Sequence, residues 1–370
     1  MIDWQIEQLS GRAIDKIDKL LLTPLRLGVA QLLYLQRVPH HAAINTSVEL
    51  IEHRASGRGF VNAILRTLSR KGPEAEPDST TDPVRRLAIL GNVQDWFARR
   101  LLMQYGFDRS LAILSQTLEE PPITVRTNRL RMTAEGLQTL FEQRLMAARI
   151  HPRRPTALLV DDWSSPVHEW PGYGEGFFSV QDAAAQAVTP LLHPQVDAIY
   201  LDACAAPGGK SLHLAELTDD RASIDATDID SVRLERLKQS IDRLGLTSIQ
   251  CQVGDCRQLL TDARHTGIML DAPCSGSGVI RRHPEIKWLL NEDDLSAHPE
   301  QQISLLTSLA ARLPKGGTLV YAVCSLFREE GPDLINRFVA THCDFVQEAI
   351  VESLPDSGDD GHWAVRLTRR

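Results

Sequence analysis

The residues best suited to covalent chemistry are two cysteines, Cys274 in Asp271-Ala272-Pro273-Cys274-Ser275-Gly276-Ser277-Gly278 and Cys324 in Tyr321-Ala322-Val323-Cys324-Ser325. Each follows a short apolar run. If those runs are strands of one doubly wound sheet, both thiols open into one cleft, because such sheets bind ligands beyond the carboxyl ends of their strands. Paired thiols there suit a redox disulfide or nucleophilic catalysis. A metal site would need histidine or further cysteine at ligand spacing, so no metal is expected. Cys251, Cys256 and Cys343 have no such placement and read as buried, inert thiols.

A third apolar run ends in Asp202-Ala203-Cys204-Ala205-Ala206-Pro207-Gly208-Gly209-Lys210-Ser211 and enters a helix through Leu212, Leu214 and Leu217. Glycines between strand and helix let a ligand approach the backbone, and the helix start offers free N–H groups, so a nucleotide-like ligand fits. Gly209-Lys210-Ser211 with Asp271 also imitates a phosphate-binding loop, which makes a nucleoside triphosphatase the alternative. That pattern requires glycine at 204, where cysteine stands. The next two runs end in Asp228, 19 residues after Gly209, and Asp255. The first is placed to accept from ribose hydroxyls and the second to reach an adenine amino group. Asp230 reads as the cap of the following helix. With no second basic residue beside Lys210, the ligand is a nucleoside rather than a triphosphate.

The elements that must position these residues follow from periodicity. Apolar runs at 198–202, 224–229, 249–253, 268–271 and 318–323 alternate with helical stretches, which predicts an α/β domain with a mostly parallel sheet and helices on both faces, over residues 181–370. Residues 1–71 are helical, with Leu25, Val29, Leu32 and Leu33, then Phe60, Ile64 and Leu68, at helical spacing. The proline- and acid-rich stretch 72–83 reads as a linker. Residues 84–180 read as a bridging α/β subdomain, with helices near 94–104 and 109–118, a strand within 121–128 and a helix over 133–146.

The chain of 370 residues has a net charge of -8, but residues 1–155 hold 22 basic and 16 acidic side chains, against 18 and 32 in the remainder. A positive lobe suits a polyanion such as RNA. No apolar run is long enough for a membrane span, and the first residues carry no secretory signal, so the expected location is cytoplasmic.

Taken together, Cys204-Ala205-Ala206-Pro207-Gly208-Gly209-Lys210, Asp271-Ala272-Pro273-Cys274-Ser275-Gly276 and Cys324-Ser325 resemble the S-adenosylmethionine-dependent RNA cytosine-C5 methyltransferases of the NSUN superfamily. Val279-Ile280-Arg281-Arg282-His283-Pro284-Glu285-Ile286-Lys287-Trp288 narrows the resemblance to the bacterial Fmu/Sun (RsmB-like) type. Phe60-Val61-Asn62-Ala63-Ile64-Leu65-Arg66 resembles the closing helix of its N-terminal domain. The resemblance implies an all-α NusB-like RNA-binding domain, a small α/β bridging subdomain and a Rossmann-like class I methyltransferase domain. It implies S-adenosylmethionine as cofactor, held by Cys204, Ala205, Ala206, Pro207, Gly208, Gly209, Lys210, Asp228, Asp255 and Asp271, with Cys324 as nucleophile and Cys274 as the thiol that releases product.

The implied reaction is methylation of cytosine C5 in 16S rRNA, at cytosine 967 or a like position, by a monomer acting on rRNA in an unassembled or partly assembled small subunit. Cytosine C5 is a weak nucleophile, so a thiolate first adds to C6; covalent catalysis divides one hard step into two. Lys210 is the candidate to assist the Cys324 thiolate, and Asp271 the candidate to read the base edge. Three departures accompany the resemblance. The N-terminal domain is expected to begin without its first helices, Val323 stands where threonine is usual, and Asp360-Gly361-His362-Trp363 replaces aspartate, glycine and two phenylalanines. A catalytically inactive RNA-binding assembly factor is the further alternative.

Overall fold

The computed structural model describes residues 1–51, 55–78, 81–161, 165–259, 264–355 and 358–370. Its contacts divide the chain into two units, Met1–Ala98 and Arg99–Arg370.

The first unit is helical: α1 (Ile2–Ser10), α2 (Lys19–Tyr34), α3 (His40–Glu49), α4 (Ala55–Lys71) and α5 (Pro83–Gly91). Asp18 caps α2 by accepting from Leu20 N, and Asp82 caps α5 by accepting from Arg85 N, with Pro83 in the first turn. The apolar stripes of α1, α2 and α4 meet in a core of Ile6, Leu25, Val29, Val61 and Leu65. The stretch read as a linker is held against α1, since Gln5 bonds both Glu74 N and Glu74 O and Trp4 Nε1 donates to Ala75 O. Residues 79 and 80 of that stretch lie outside the described residues. By contacts it belongs, with α5, to the helical unit.

Helix α6 (Asp95–Gln116), which runs across the division into the second unit, is broken by Gly106 at φ 75, which gives the two helical pieces the sequence suggests. Strands β1 (Ile123–Thr127), β2 (Ala148–His151), β3 (Arg154–Val160) and β4 (Phe178–Val180) form an antiparallel sheet in the order β2-β3-β1-β4. Helix α7 (Ala134–Glu142) covers it through Leu137 and Phe141, which pack with Val125, Leu158 and Phe178.

The larger sheet contains β5 (Ile199–Asp202), β6 (Ser223–Asp228), β7 (Ile249–Val253), β8 (Gly267–Asp271), β9 (Thr318–Val323), β10 (Phe345–Ser353) and β11 (His362–Arg369), in the order β10-β11-β9-β8-β5-β6-β7. Strands β5 to β9 are parallel, and β11 and β10 add an antiparallel edge. Alternate residues feed opposite faces: Tyr200 and Met269 join one core with Leu212 and Leu237, while Leu201 and Ile268 join the other with Leu306 and Phe338. The chain order reverses between β5 and β8, so the cleft opens at the carboxyl ends of these strands. No helix among the described residues is long and apolar enough to cross a membrane.

Candidate active site

Strand β5 delivers Asp202, and the loop 203–208 leads into α9 (Gly209–Leu217). Gly208 caps this helix at φ 110, and a Cβ there would fall 2.3 Å from Leu237 Cδ1, so only glycine allows the turn to lie this close to α10 (Ser231–Leu244). Asp228 at the end of β6 pins the loop, accepting from Ala206 N at 3.0 Å and from Asp230 N at 2.9 Å. Arg126 of β1 holds the start of α9: it donates to Gly209 O at 2.9 Å, to Gln181 Oε1, and in two-pronged fashion to Glu216 at 2.7 and 3.0 Å. The loop encloses a cleft of about 340 Å³ that also reaches Asp202, Tyr173, Arg243 and Asp271.

Lys210 Nζ lies 2.6 Å from Asp271 Oδ2 at the end of β8. Burial opposes the lysine's charge, but the Asp271 carboxylate outweighs it, with the nearby Cys324 acting in the same direction, so the ammonium is held above its ordinary value. Beyond the ends of β8 and β9, Cys274 Sγ and Cys324 Sγ lie 3.3 Å apart. The hydrogen bond shared with Cys324 and then burial push the Cys274 thiol well up. Backbone bonds lock the two turns: Ala272 N to Ala322 O at 2.9 Å, Gly278 N to Cys324 O at 2.9 Å, and Gly361 N to Gly278 O at 2.8 Å.

The chain is similar to known proteins along its length. The model of the NusB family matches residues 1–70, a ferredoxin-like domain of RsmF/B-like methyltransferases matches 93–167, and the 16S rRNA methyltransferase RsmB/F model matches 189–359. The ribosomal RNA small subunit methyltransferase B of Cronobacter sakazakii is 33% identical over 383 residues, covering 100% of this chain and 87% of its own length. The chain belongs to the 16S rRNA methyltransferase RsmB/F family. The probable small subunit methyltransferase B of Bacillus subtilis is 34% identical over 349 residues, 92% of this chain and 77% of the relative. Among solved structures, a methyltransferase homologue from Pyrococcus horikoshii superposes with a TM-score of 0.69 at 22% identity, over 78% of this chain and 100% of that one. This RsmB/F protein is therefore an RNA methyltransferase, and S-adenosylmethionine is its methyl donor.

The cleft fits that donor. Asp202 lines the cleft and is fully buried; its Oδ2 accepts from Ser211 Oγ at 2.6 Å, while its buried Oδ1 has no hydrogen-bond partner among the described residues. An unpaired carboxylate oxygen in a closed wall is a ready acceptor for the ammonium of the donor's amino-acid end. Burial pushes this carboxyl up to about 7 in spite of the Ser211 bond. The phosphate-loop reading fails here, because Ser211 is spent on Asp202 and Lys210 on Asp271.

The fold thus brings Cys204 through Lys210, Asp271, Cys274 and Cys324 to one end of the sheet, with Asp228 behind the loop. Asp255 stands apart from the cleft wall: it pairs with Arg257 at 2.6 Å, and that bond holds its carboxyl below the usual range. Cys204 lines the cleft, its thiol pushed up first by a hydrogen bond with Cys256 and then by burial. Of the thiols read as buried, Cys256 is, Cys251 is half-buried and Cys343 is exposed, in the turn that follows α14 (Pro332–Thr341). Arg282 bridges Asp182 at 3.0 Å and Asp360 at 2.6 Å, which holds the altered Asp-Gly-His-Trp segment in place; Trp363 packs in the core beside Tyr321. Sequence reasoning missed Arg126, Gln181, the free oxygen of Asp202, Glu330 and His362. For Arg126 and Asp202 the signal is polar character inside an apolar run; Glu330, beside Arg328 and Glu329, carries none.

Proposed function

We propose that this chain methylates C5 of one cytosine in 16S rRNA through a bond between Cys324 Sγ and C6. The single observation that carries this reading is the 3.3 Å approach of Cys274 and Cys324 at the strand ends that flank Lys210 and Asp271. S-adenosylmethionine supplies an electrophilic methyl group. The remaining work falls to the chain's own side chains.

Cys324 adds to C6 as the thiolate, and the electrons of the C5–C6 double bond move into the ring, so that C5 becomes enamine-like and takes up the methyl group. The C5 proton then passes to a water molecule acting as base, the double bond re-forms, and Cys324 departs as thiolate. Cys274, whose thiol lies 3.3 Å from Cys324 and is pushed well up, assists this release by donating a hydrogen bond to the departing sulfur. The Lys210 ammonium favours the thiolate, and Asp271 faces the amino edge that distinguishes cytosine from uracil. Unstacking the base costs a few kcal/mol, which phosphate contacts from the basic N-terminal residues 1–71 offset. Asp228 and the loop Cys204–Lys210 hold the donor; Asp255, on Arg257, does so only if it exchanges partner. The chain acts as a monomer, in the cytoplasm, on rRNA in an unassembled or partly assembled small subunit.

Transfer of labelled methyl from donor to 16S rRNA should vanish in Cys324→Ala, and bisulfite sequencing should locate one cytosine. Undiminished transfer by Cys324→Ala would overturn the reading.

A further inference from the structure

The turns that carry the two cysteines end on the same buried carboxylate. Ser275, next after Cys274, donates to Glu330 twice, through its backbone N–H at 2.8 Å to Oε1 and through its hydroxyl to Oε2. Ser325, next after Cys324, donates its hydroxyl to that same Oε2. Gln302 Nε2 donates to Oε1 at 3.0 Å and to Pro273 O at 2.9 Å, just before Cys274. Tyr321 of β9 donates to the backbone oxygen of Glu330 at 2.6 Å. Glu330 is wholly enclosed; His298 Nδ1 lies 3.5 Å from its Oε1, and Cys274 and Tyr321 also face it.

We infer that Glu330 is the positioning residue of the thiol pair, tying the Cys274 and Cys324 turns to each other through Ser275 and Ser325 and so setting their separation. The inference rests on the reading above that both thiols take part in the reaction. Four protein donors converge on the carboxylate's two oxygens. An ionised carboxylate has lone pairs for all of them. A glutamine of the same shape carries no charge and has one acceptor oxygen, so both serine hydroxyls would have to turn from donating to accepting and the two charge-assisted bonds to Oε2 would be lost. The carboxylate's charge also helps to keep the proton on Cys274.

The test uses the full chain and two readouts. Diamide takes two electrons and two protons from a thiol pair within reach and leaves a disulfide, so the rate of Cys274–Cys324 disulfide formation, followed by peptide mass mapping, reports separation without RNA or donor. Single-turnover methyl transfer reports the reaction. In Glu330→Gln, disulfide formation should slow tenfold or more and methyl transfer should fall at least tenfold, with S-adenosylhomocysteine affinity and the KM for RNA within twofold of wild type. Wild-type values for both rates in folded Glu330→Gln would overturn the inference. Slower disulfide formation with unchanged methyl transfer would uphold the tie and contradict the two-thiol reaction instead. If Glu330→Gln does not fold, Ser275→Ala and Ser325→Ala each remove a donor and should slow both processes threefold or more; wild-type rates in both variants would overturn the inference.

Discussion

Cys274 and Cys324 are 50 residues apart in sequence, and their sulfur atoms stand 3.3 Å apart. The meeting is a consequence of register. Strands β8 and β9 are parallel with Asp271 opposite Ala322, so a cysteine three residues past the first and one two residues past the second emerge at the same height. The bond from Ala272 N to Ala322 O continues the ladder one step beyond the last pair and fixes that height.

Asp202 makes donor binding dependent on pH. A carboxyl raised to about 7 gains its proton as the pH falls through 7, and the neutral form attracts an ammonium less. The affinity for S-adenosylhomocysteine, measured by calorimetry, should therefore weaken by up to about tenfold per pH unit below 7, and the dependence should flatten in Asp202→Asn. Equal slopes in the two proteins would exclude Asp202 as the ammonium's partner.

His362 should lower stability on the acid side. Burial, then the charge of Lys210, bring its imidazole down to about 4. The unfolded chain protonates near 6.5 and the folded chain does not, so stability present above 6.5 is lost as the pH falls from 6.5 to 4, up to about 3 kcal/mol. His362→Phe removes this loss. Thermal melts of both proteins across that range should show the wild type falling behind the variant, and parallel curves would contradict the assignment.

Arg126 and Glu216 are both about 1% exposed, and replacing one partner strands the other charge. Arg126→Met should cost about 3–5 kcal/mol and weaken donor binding with it, since Arg126 also holds Gly209 O. Denaturant unfolding together with S-adenosylhomocysteine titration checks both effects.

Gly278 admits no side chain. A Cβ there would lie 2.1 Å from Gly361 O and 3.0 Å from the Cys324 carbonyl carbon, both of them backbone. Gly278→Ala should lose about 1–3 kcal/mol and at least tenfold in methyl transfer. Gly59→Ala, with open space around it in α4, should melt no lower than wild type.

The catalytic sheet was legible because strand and helix alternate in it. The strands predicted from apolar runs match β5 to β9 to within a residue at each end, and Asp271 at the end of β8 and the loop after β5 line the cleft. Of the small sheet β1 was legible, as the strand within 121–128, and the rest was hidden: β2 is four residues long and carries Arg149, β3 contains Pro155, and β4 has three residues, so these three show no readable period. Asp255 could be placed at a strand end but not oriented, because a guanidinium two residues on, Arg257, takes its carboxylate. Partners 90 residues apart, such as Arg126 and Glu216, leave no trace in local pattern. Glu330 reads in sequence as one more surface acid beside Glu329, and only the fold shows it enclosed.

The central claim, that two sulfur atoms act on one pyrimidine ring, is tested most directly with Cys274→Ala, incubated with 16S rRNA and S-adenosylmethionine and run on a denaturing gel. A retarded protein–RNA band should accumulate, and after nuclease digestion its mass spectrum should show the peptide containing Cys324 joined to a methylated cytidine. Absence of the band, or its persistence when Cys324 is also replaced by alanine, would contradict the account.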